Sequence, residues 1–152
     1  MSNNKDTARR IVEEGWNRKD KKVLIESIST EALHHDPQNP IVLKGSEGAI
    51  ATLETYTKAF PDVHMTIEKE ICEGDYVVQH LRAFGTNTGE LSGMPATGKK
   101  TNVTGVMTSK FKDGKVIETW SAFDNLGLMQ QLGIVPITGV TKTREPELVG
   151  AR

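Results

Sequence analysis

Apolar positions in this chain follow two different periods, and the change between them divides the sequence. Ala8, Ile11, Val12, Gly15 and Trp16 fall at i, i+3, i+4, i+7 and i+8, the stripe of an amphipathic helix. Asp20 is a favoured N-cap, and Leu24, Ile25 and Ile28 after it predict a second, short helix. Residues 32–36 read as a short strand stopped by Pro37 and Pro40. Gly45-Ser46 opens a third helix with Ala49, Ile50, Leu53, Tyr56, Thr57 and Phe60 on one face, and Pro61 ends it. The period then falls to two. Val63, Met65 and Ile67 alternate with His64, Thr66 and Glu68, which predicts a strand with one buried face. Gly74-Asp75 marks a turn, and 76–86 is a second long strand. Residues 85–100 form a rim loop rich in Gly, Thr and Pro, with a short strand at Glu90-Leu91. Strands 102–111 and 116–123 are joined through Lys112-Asp113-Gly114-Lys115, a hairpin signal. A short helix at 126–132 is closed by Gly133 and Pro136, and 137–152 reads as a loosely held tail.

Helices first and long antiparallel strands afterwards predict an α+β domain over 1–136, its N-terminal helices packed on one face of a curved sheet. Such a sheet encloses a cone-shaped cavity suited to a small apolar ligand.

Composition narrows the partners. Of 152 residues, 36% are hydrophobic and 26% charged, which argues against a disordered chain. Nineteen Lys+Arg against twenty Asp+Glu leave a net charge of -1, so neither nucleic acid nor an anionic membrane surface is expected as a partner. The single cysteine, Cys72, excludes an internal disulfide and a cysteine-based zinc site, and is expected to be a buried small hydrophobe. The polar N-terminus and the lack of a long apolar run lead to the expectation of a soluble, cytoplasmic protein.

An ordered set of short motifs adds to this. Gly15-Trp16-Asn17, His35-Asp36-Pro37, Phe60-Pro61-Asp62 and Glu73-Gly74-Asp75 come first. Gly85-Thr86, Gly89-Glu90-Leu91, Gly93-Met94-Pro95, Thr97-Gly98-Lys99 and Asp113-Gly114-Lys115 follow. Glu118-Thr119-Trp120, Asp124, Gly127-Leu128 and Gln131-Leu132-Gly133 close it. Together they resemble the SnoaL-like polyketide cyclase family of the nuclear transport factor 2-like superfamily. The resemblance implies a cone-shaped α+β barrel, a homodimer through the convex sheet face, and acid–base chemistry with no cofactor and no metal. A carboxylate removes a proton α to a carbonyl, and the enolate attacks a second carbonyl. Anchored on Asp113-Gly114-Lys115, the family's catalytic aspartate falls on Ser121, its pocket histidine on Met107 and a glutamine on Gly105. A pocket asparagine falls on Asp36, and an aromatic of the first helix on Trp16.

The candidate bases are therefore Asp36 and Asp124. Asp36 competes with an Asx turn before Pro37-Gln38, and Asp124 with an N-cap of the last helix. Trp16, His35, Tyr56, Met107, Trp120 and Ser121 are the candidate substrate-binding residues. Two hairpin geometries set the strand faces. A three-residue loop with a glycine bulge groups Met107, Thr119, Ser121 and Phe123, whereas a two-residue loop pairs Met107 with Trp120. His34 and His35, adjacent on a strand, point to opposite faces and are not expected to converge on a metal. His80 is expected at an interface or the surface. The functional expectation is a polyketide or ester cyclase, or a related acid–base enzyme on an apolar carbonyl compound. The alternative is a non-catalytic small-molecule binder. Epoxide hydrolysis would need paired carboxylates around an internal cation, and Arg82, the one mid-strand arginine, is expected on the outer face.

Overall fold

The first apolar stripe ends in a widened turn. In the computed structural model, which describes residues 2–137, helix α1 (Ser2–Arg10) runs directly into a π-helical stretch, Ile11–Trp16. Val12 and Gly15 are buried there. A Cβ at Gly15 would stand 2.8 Å from Leu24 Cδ2, so the glycine lets α2 (Lys21–Ser27) lie close. Asp20 caps α2 by accepting the Lys22 N–H at 3.1 Å. Asn17 exchanges two hydrogen bonds with the Met65 backbone, at 2.9 and 2.7 Å, and so fixes Trp16 over the sheet.

Strand β1 (Ile28–His35) is longer than expected. Ile28 belongs to it rather than to α2, because it pairs with Val116 of the last strand. Ile25 points outward, 54% exposed. Strand β2 (Leu43–Lys44) and helix α3 (Gly45–Ala59) follow, then β3 (His64–Glu73), β4 (Tyr76–Thr86), β5 (Lys100–Lys112), β6 (Lys115–Phe123) and α4 (Asn125–Gln131). The six strands form one curved, unclosed sheet in the order β2-β1-β6-β5-β4-β3. Every neighbouring pair is antiparallel except β1–β6, which is parallel. The mixed α+β architecture is the one the sequence predicts. In the rim loop, the strand signal near Leu91 becomes a single bridge to Met94.

Two bulges decide which side chains look inward. Between Ile67 and Lys69 the β3–β4 register slips by one residue. Met65 lies inward before the slip, and Glu70, opposite Gln79, lies inward after it. At the β5–β6 hairpin the loop has two residues, Asp113 (φ 51) and Gly114 (φ 77), and Lys112 pairs with Lys115. A slip at Ile117 then puts odd residues opposite odd ones, the grouping the longer loop would also give but two residues further along β6, so Met107 faces Ser121 and Ser109 faces Thr119. Bulges of this kind also bend the sheet.

The core consists of three clusters rather than one. Leu24, Leu53 and Phe111 centre the first; Phe60, Val103 and Leu128 the second; Val12, Met65 and Leu81 the third. Ile11 and Ile50 are only partly buried against the first. Cys72 is exposed, contrary to expectation, because the last residues of β3 extend beyond the covering helices. The expected tail lies outside the described residues apart from Ile137. No helix among the described residues is long and apolar enough to cross a membrane.

Candidate active site

The three core clusters do not close on one another, and a cavity remains where they meet. Its deep chamber, about 120 Å³, is walled by Trp16, Phe60, Met65, Val103, Met107 and Phe123. It widens past Asp36, Tyr56 and Asn125 into a mouth of about 550 Å³. A smaller lobe of about 80 Å³ lies on the other side of Trp16 and Met107. Ser121 borders all three spaces.

The inner face of β5 and β6 is uncharged at its centre. Met107 and Ser121 sit opposite each other, and Gly105 lies under the Phe123 ring. A Cβ at position 105 would stand 2.3 Å from that ring, so glycine here makes room for an aromatic wall.

Asp36 is the carboxylate at the neck. It follows the end of β1, and Oδ1 accepts the Gln38 N–H at 2.9 Å in an Asx turn. The same residue borders both chamber and mouth, so turn and cavity share one side chain. Tyr56 projects from α3 beside it, its ring centroid 6.4 Å from that of Trp16. Burial pushes the Tyr56 phenol above its ordinary pKa, the negative charge of Asp36 pushes it the same way, and a hydrogen bond with Asn125 opposes both. The hydroxyl therefore stays protonated and able to donate.

Two candidates lie elsewhere. Trp120 is on the outer face, 38% exposed, and borders none of the three spaces. The His35 ring stacks on it at 5.5 Å and 19°, and His35 Nε2 bonds Glu118 Oε2 at 2.6 Å. His35 thus turns its ring outward and only edges the mouth. Asp124 caps α4 by accepting the Gly127 N–H at 2.9 Å. It is exposed beside an outer depression with Glu68 and His80, not in the cavity. Both have one cause: with Ser121 and Phe123 turned inward, Trp120 faces out, and so does Asp124, the residue directly after the strand. Arg82 is also outside, bonded to Asn102 at 2.9 Å and paired with Glu68 at 3.4 Å.

The inward histidine is His34, which is not among the residues expected to bind substrate; its parity with the buried Ala32 was the available signal. Its Nε2 is 2.8 Å from the Gly45 carbonyl and its Nδ1 2.8 Å from Thr119 Oγ1. Burial lowers its pKa most, the Gly45 bond raises it, and His35 lowers it further. No three metal-ligating side chains gather among the described residues.

An apolar chamber with one carboxylate and one phenol at its neck suits proton transfer at carbon next to a carbonyl. Known proteins share this frame. The family model for the SnoaL-like polyketide cyclase matches residues 6–132. The chain is 32% identical over 138 residues to the aklanonic acid methyl ester cyclase DnrD of Streptomyces peucetius, covering 88% of this chain and 92% of DnrD. It is 31% identical over 112 residues to the aklanonic acid methyl ester cyclase DauD of Streptomyces sp. (strain C5), covering 73% of this chain and 67% of DauD. A structure from Jannaschia sp. CCS1, described as a candidate SnoaL-like polyketide cyclase, superposes with a TM-score of 0.81 at 29% identity, over 89% of this chain and 94% of that one. TsrD from Streptomyces laurentii does so at 0.80 and 26%, over 89% and 98%. Motif order, sheet topology and these matches converge, and the chain belongs to the SnoaL-like polyketide cyclase family.

Proposed function

We propose that this protein is an acid–base enzyme on an apolar carbonyl compound of the polyketide-ester class, with Asp36 as base and Tyr56 as the donor to the developing enolate. One observation carries the reading: Asp36 and Tyr56 border both chamber and mouth, close enough for the charge of one to act on the other. The Asx turn holds Asp36 through Oδ1 and leaves Oδ2 for the substrate. Asp36 takes the proton from the carbon α to a carbonyl, and the electron pair moves to the carbonyl oxygen, which accepts the Tyr56 O–H. The enolate carbon then bonds to a second carbonyl carbon, and the new alkoxide recovers the proton from Asp36. The apolar walls keep water from the enolate. The names of DnrD and DauD support a methyl ester as first trial substrate.

The test is turnover of aklanonic acid methyl ester by the wild type, Asp36→Asn, Tyr56→Phe and Ser121→Ala. Asp36→Asn should lose roughly 10²–10⁴-fold in rate, while Ser121→Ala keeps most of it. An active Asp36→Asn removes Asp36 as base. The second reading, a non-catalytic binding protein, is favoured by the uncharged centre formed by Met107, Ser121 and Gly105. Tight binding with no turnover on any ester or ketone offered would select it. The outer face, with Leu33, Tyr76, Phe84 and Trp120 exposed, is the surface proposed to join two copies. A monomer by sedimentation at micromolar concentration would refute that.

A further inference from the structure

The small lobe beneath α1 contains polar groups that the proposed proton transfer does not use. Gln79, Ser109 and Thr119 line its sheet side, 2%, 5% and 8% exposed, and Ala8, Ile11 and Leu24 line the helix side. Chemistry sets the direction of each bond. The Glu70 carboxylate, turned inward by the β3 bulge, meets Arg9 Nε at 2.7 Å and Lys5 Nζ at 3.9 Å. A carboxylate so paired accepts, so Gln79 must turn its amide NH2 toward it, and Nε2 lies 2.7 Å from Glu70 Oε2. Gln79 Oε1 then points the other way. At the opposite end of the stripe the Gly45 carbonyl can only accept, so His34 Nε2 carries the ring proton. The neutral ring leaves a lone pair on Nδ1, which takes the Thr119 hydroxyl proton at 2.8 Å. Thr119 Oγ1 keeps lone pairs alone for the lobe. Two bonds made within the protein thus use the Thr119 hydroxyl proton and one N–H of Gln79, and leave Thr119 Oγ1 and Gln79 Oε1 as acceptors.

We propose that this lobe is a subsite for a hydrogen-bond-donating end of an apolar ligand, a phenol or similar hydroxyl whose O–H is read by Thr119 Oγ1 and Gln79 Oε1. The ring of such a group packs on Ala8, Ile11 and Leu24. Trp16, Met107 and Ser121 belong to both lobe and chamber, so a ligand anchored here by its hydroxyl extends toward the neck at Asp36 and Tyr56. The inference deepens the carbonyl-substrate reading and rests on it only in taking the cavity as a ligand site.

Phenol and toluene are close in shape and differ by the O–H, and neither can react. Their affinities are measured by calorimetry on the wild type, Thr119→Val, Gln79→Met and Asp36→Asn, with side-chain NMR shifts to locate the probe. The phenol-to-toluene affinity ratio should fall roughly 2- to 10-fold in Thr119→Val and in Gln79→Met, the worth of one hydrogen bond. Toluene affinity should hold in both, and Asp36→Asn should keep the wild-type ratio. The phenol-induced shifts should centre on Thr119 and the Gln79 amide. No phenol binding to the wild type, an unchanged ratio in both variants, or shifts confined to Phe60 and Val103 overturns the proposal. If Thr119→Val does not fold, Gln79→Met decides alone, since Glu70 keeps Arg9. A ratio that responds while Asp36→Asn still turns over ester leaves the lobe standing and removes the base; an unresponsive ratio with an inactive Asp36→Asn does the reverse.

Discussion

His34 and His35 are neighbours in sequence and have opposite surroundings. His34 looks into the cone, held between the Gly45 carbonyl and Thr119 under α3. His35 looks out, stacked on Trp120 and bonded to Glu118. The same contrast runs along the whole sheet. The inner face carries Met65, Gln79, Leu81, Met107, Thr119 and Ser121; the outer face carries Tyr76, His80, Arg82 and Trp120. Inside, each polar group either has a fixed partner or borders the cavity, because an unpaired buried polar atom is costly. Outside, water satisfies polar groups, and aromatic residues need no enclosure. Membership of the site therefore follows strand parity rather than residue type: Asp36 and Ser121 are in it, Asp124 and Trp120 are not.

The largest expected effect separates the two aspartates. Asp36→Asn should lower turnover by roughly 10²–10⁴-fold, about 3–5 kcal/mol of barrier. Asp124→Asn should leave rate and stability nearly unchanged, because asparagine caps a helix about as well as aspartate, whereas Asp124→Ala should cost about 1 kcal/mol in chemical denaturation. A large rate loss in Asp124→Asn with unchanged stability would break the division between the faces.

Gly105 sharpens it further. Gly105→Ala drives a methyl into the Phe123 ring on the inner face. Overpacking of this kind costs about 1–3 kcal/mol, and the variant should also bind toluene more weakly. Trp120→Ala, on the outer face, should leave toluene binding unaltered and shift the monomer–dimer balance seen by sedimentation. If both variants behave alike in both assays, the faces are not separate.

The smallest effect is a pH dependence. His34 has its folded pKa lowered, chiefly by burial. The unfolded chain then binds more protons below about pH 6.5, so this contribution to stability is present above that value and is lost as pH falls through the folded pKa. Denaturation midpoints at pH 7 and pH 5 should therefore differ more in the wild type than in His34→Gln. An NMR titration placing His34 above 6.5 would reverse the sign.

Where a signal is local, the sequence carried it. Strand β4 spans 76–86 as read, since alternation and flanking turns lie within the strand itself. Asp20 and Asp124 cap helices because a side-chain oxygen reaches N–H groups two or three residues on, which needs no tertiary contact. Asp36, Trp16, Met107 and Ser121, expected from the aligned motifs, and Tyr56, expected from the stripe of the third helix, border the cavity. The rest depended on registers between distant strands. A bulge at Ile117 turns Ser121 and Phe123 to the face of Met107 despite the two-residue hairpin loop, and another between Ile67 and Lys69 turns Glu70 inward against Gln79. The parallel pairing of β1 with β6 sets His35 beside Trp120 and brings His34 to Thr119. In a strand, one residue of slip moves every later side chain to the other face. The chain by itself determined the long elements, their order and the family; the short strand β2 and the start of β1 at Ile28 needed the pairing with neighbours. The tertiary pairing decided which residues share the cavity, because packing against a neighbour, and not the local period, selects where a strand slips.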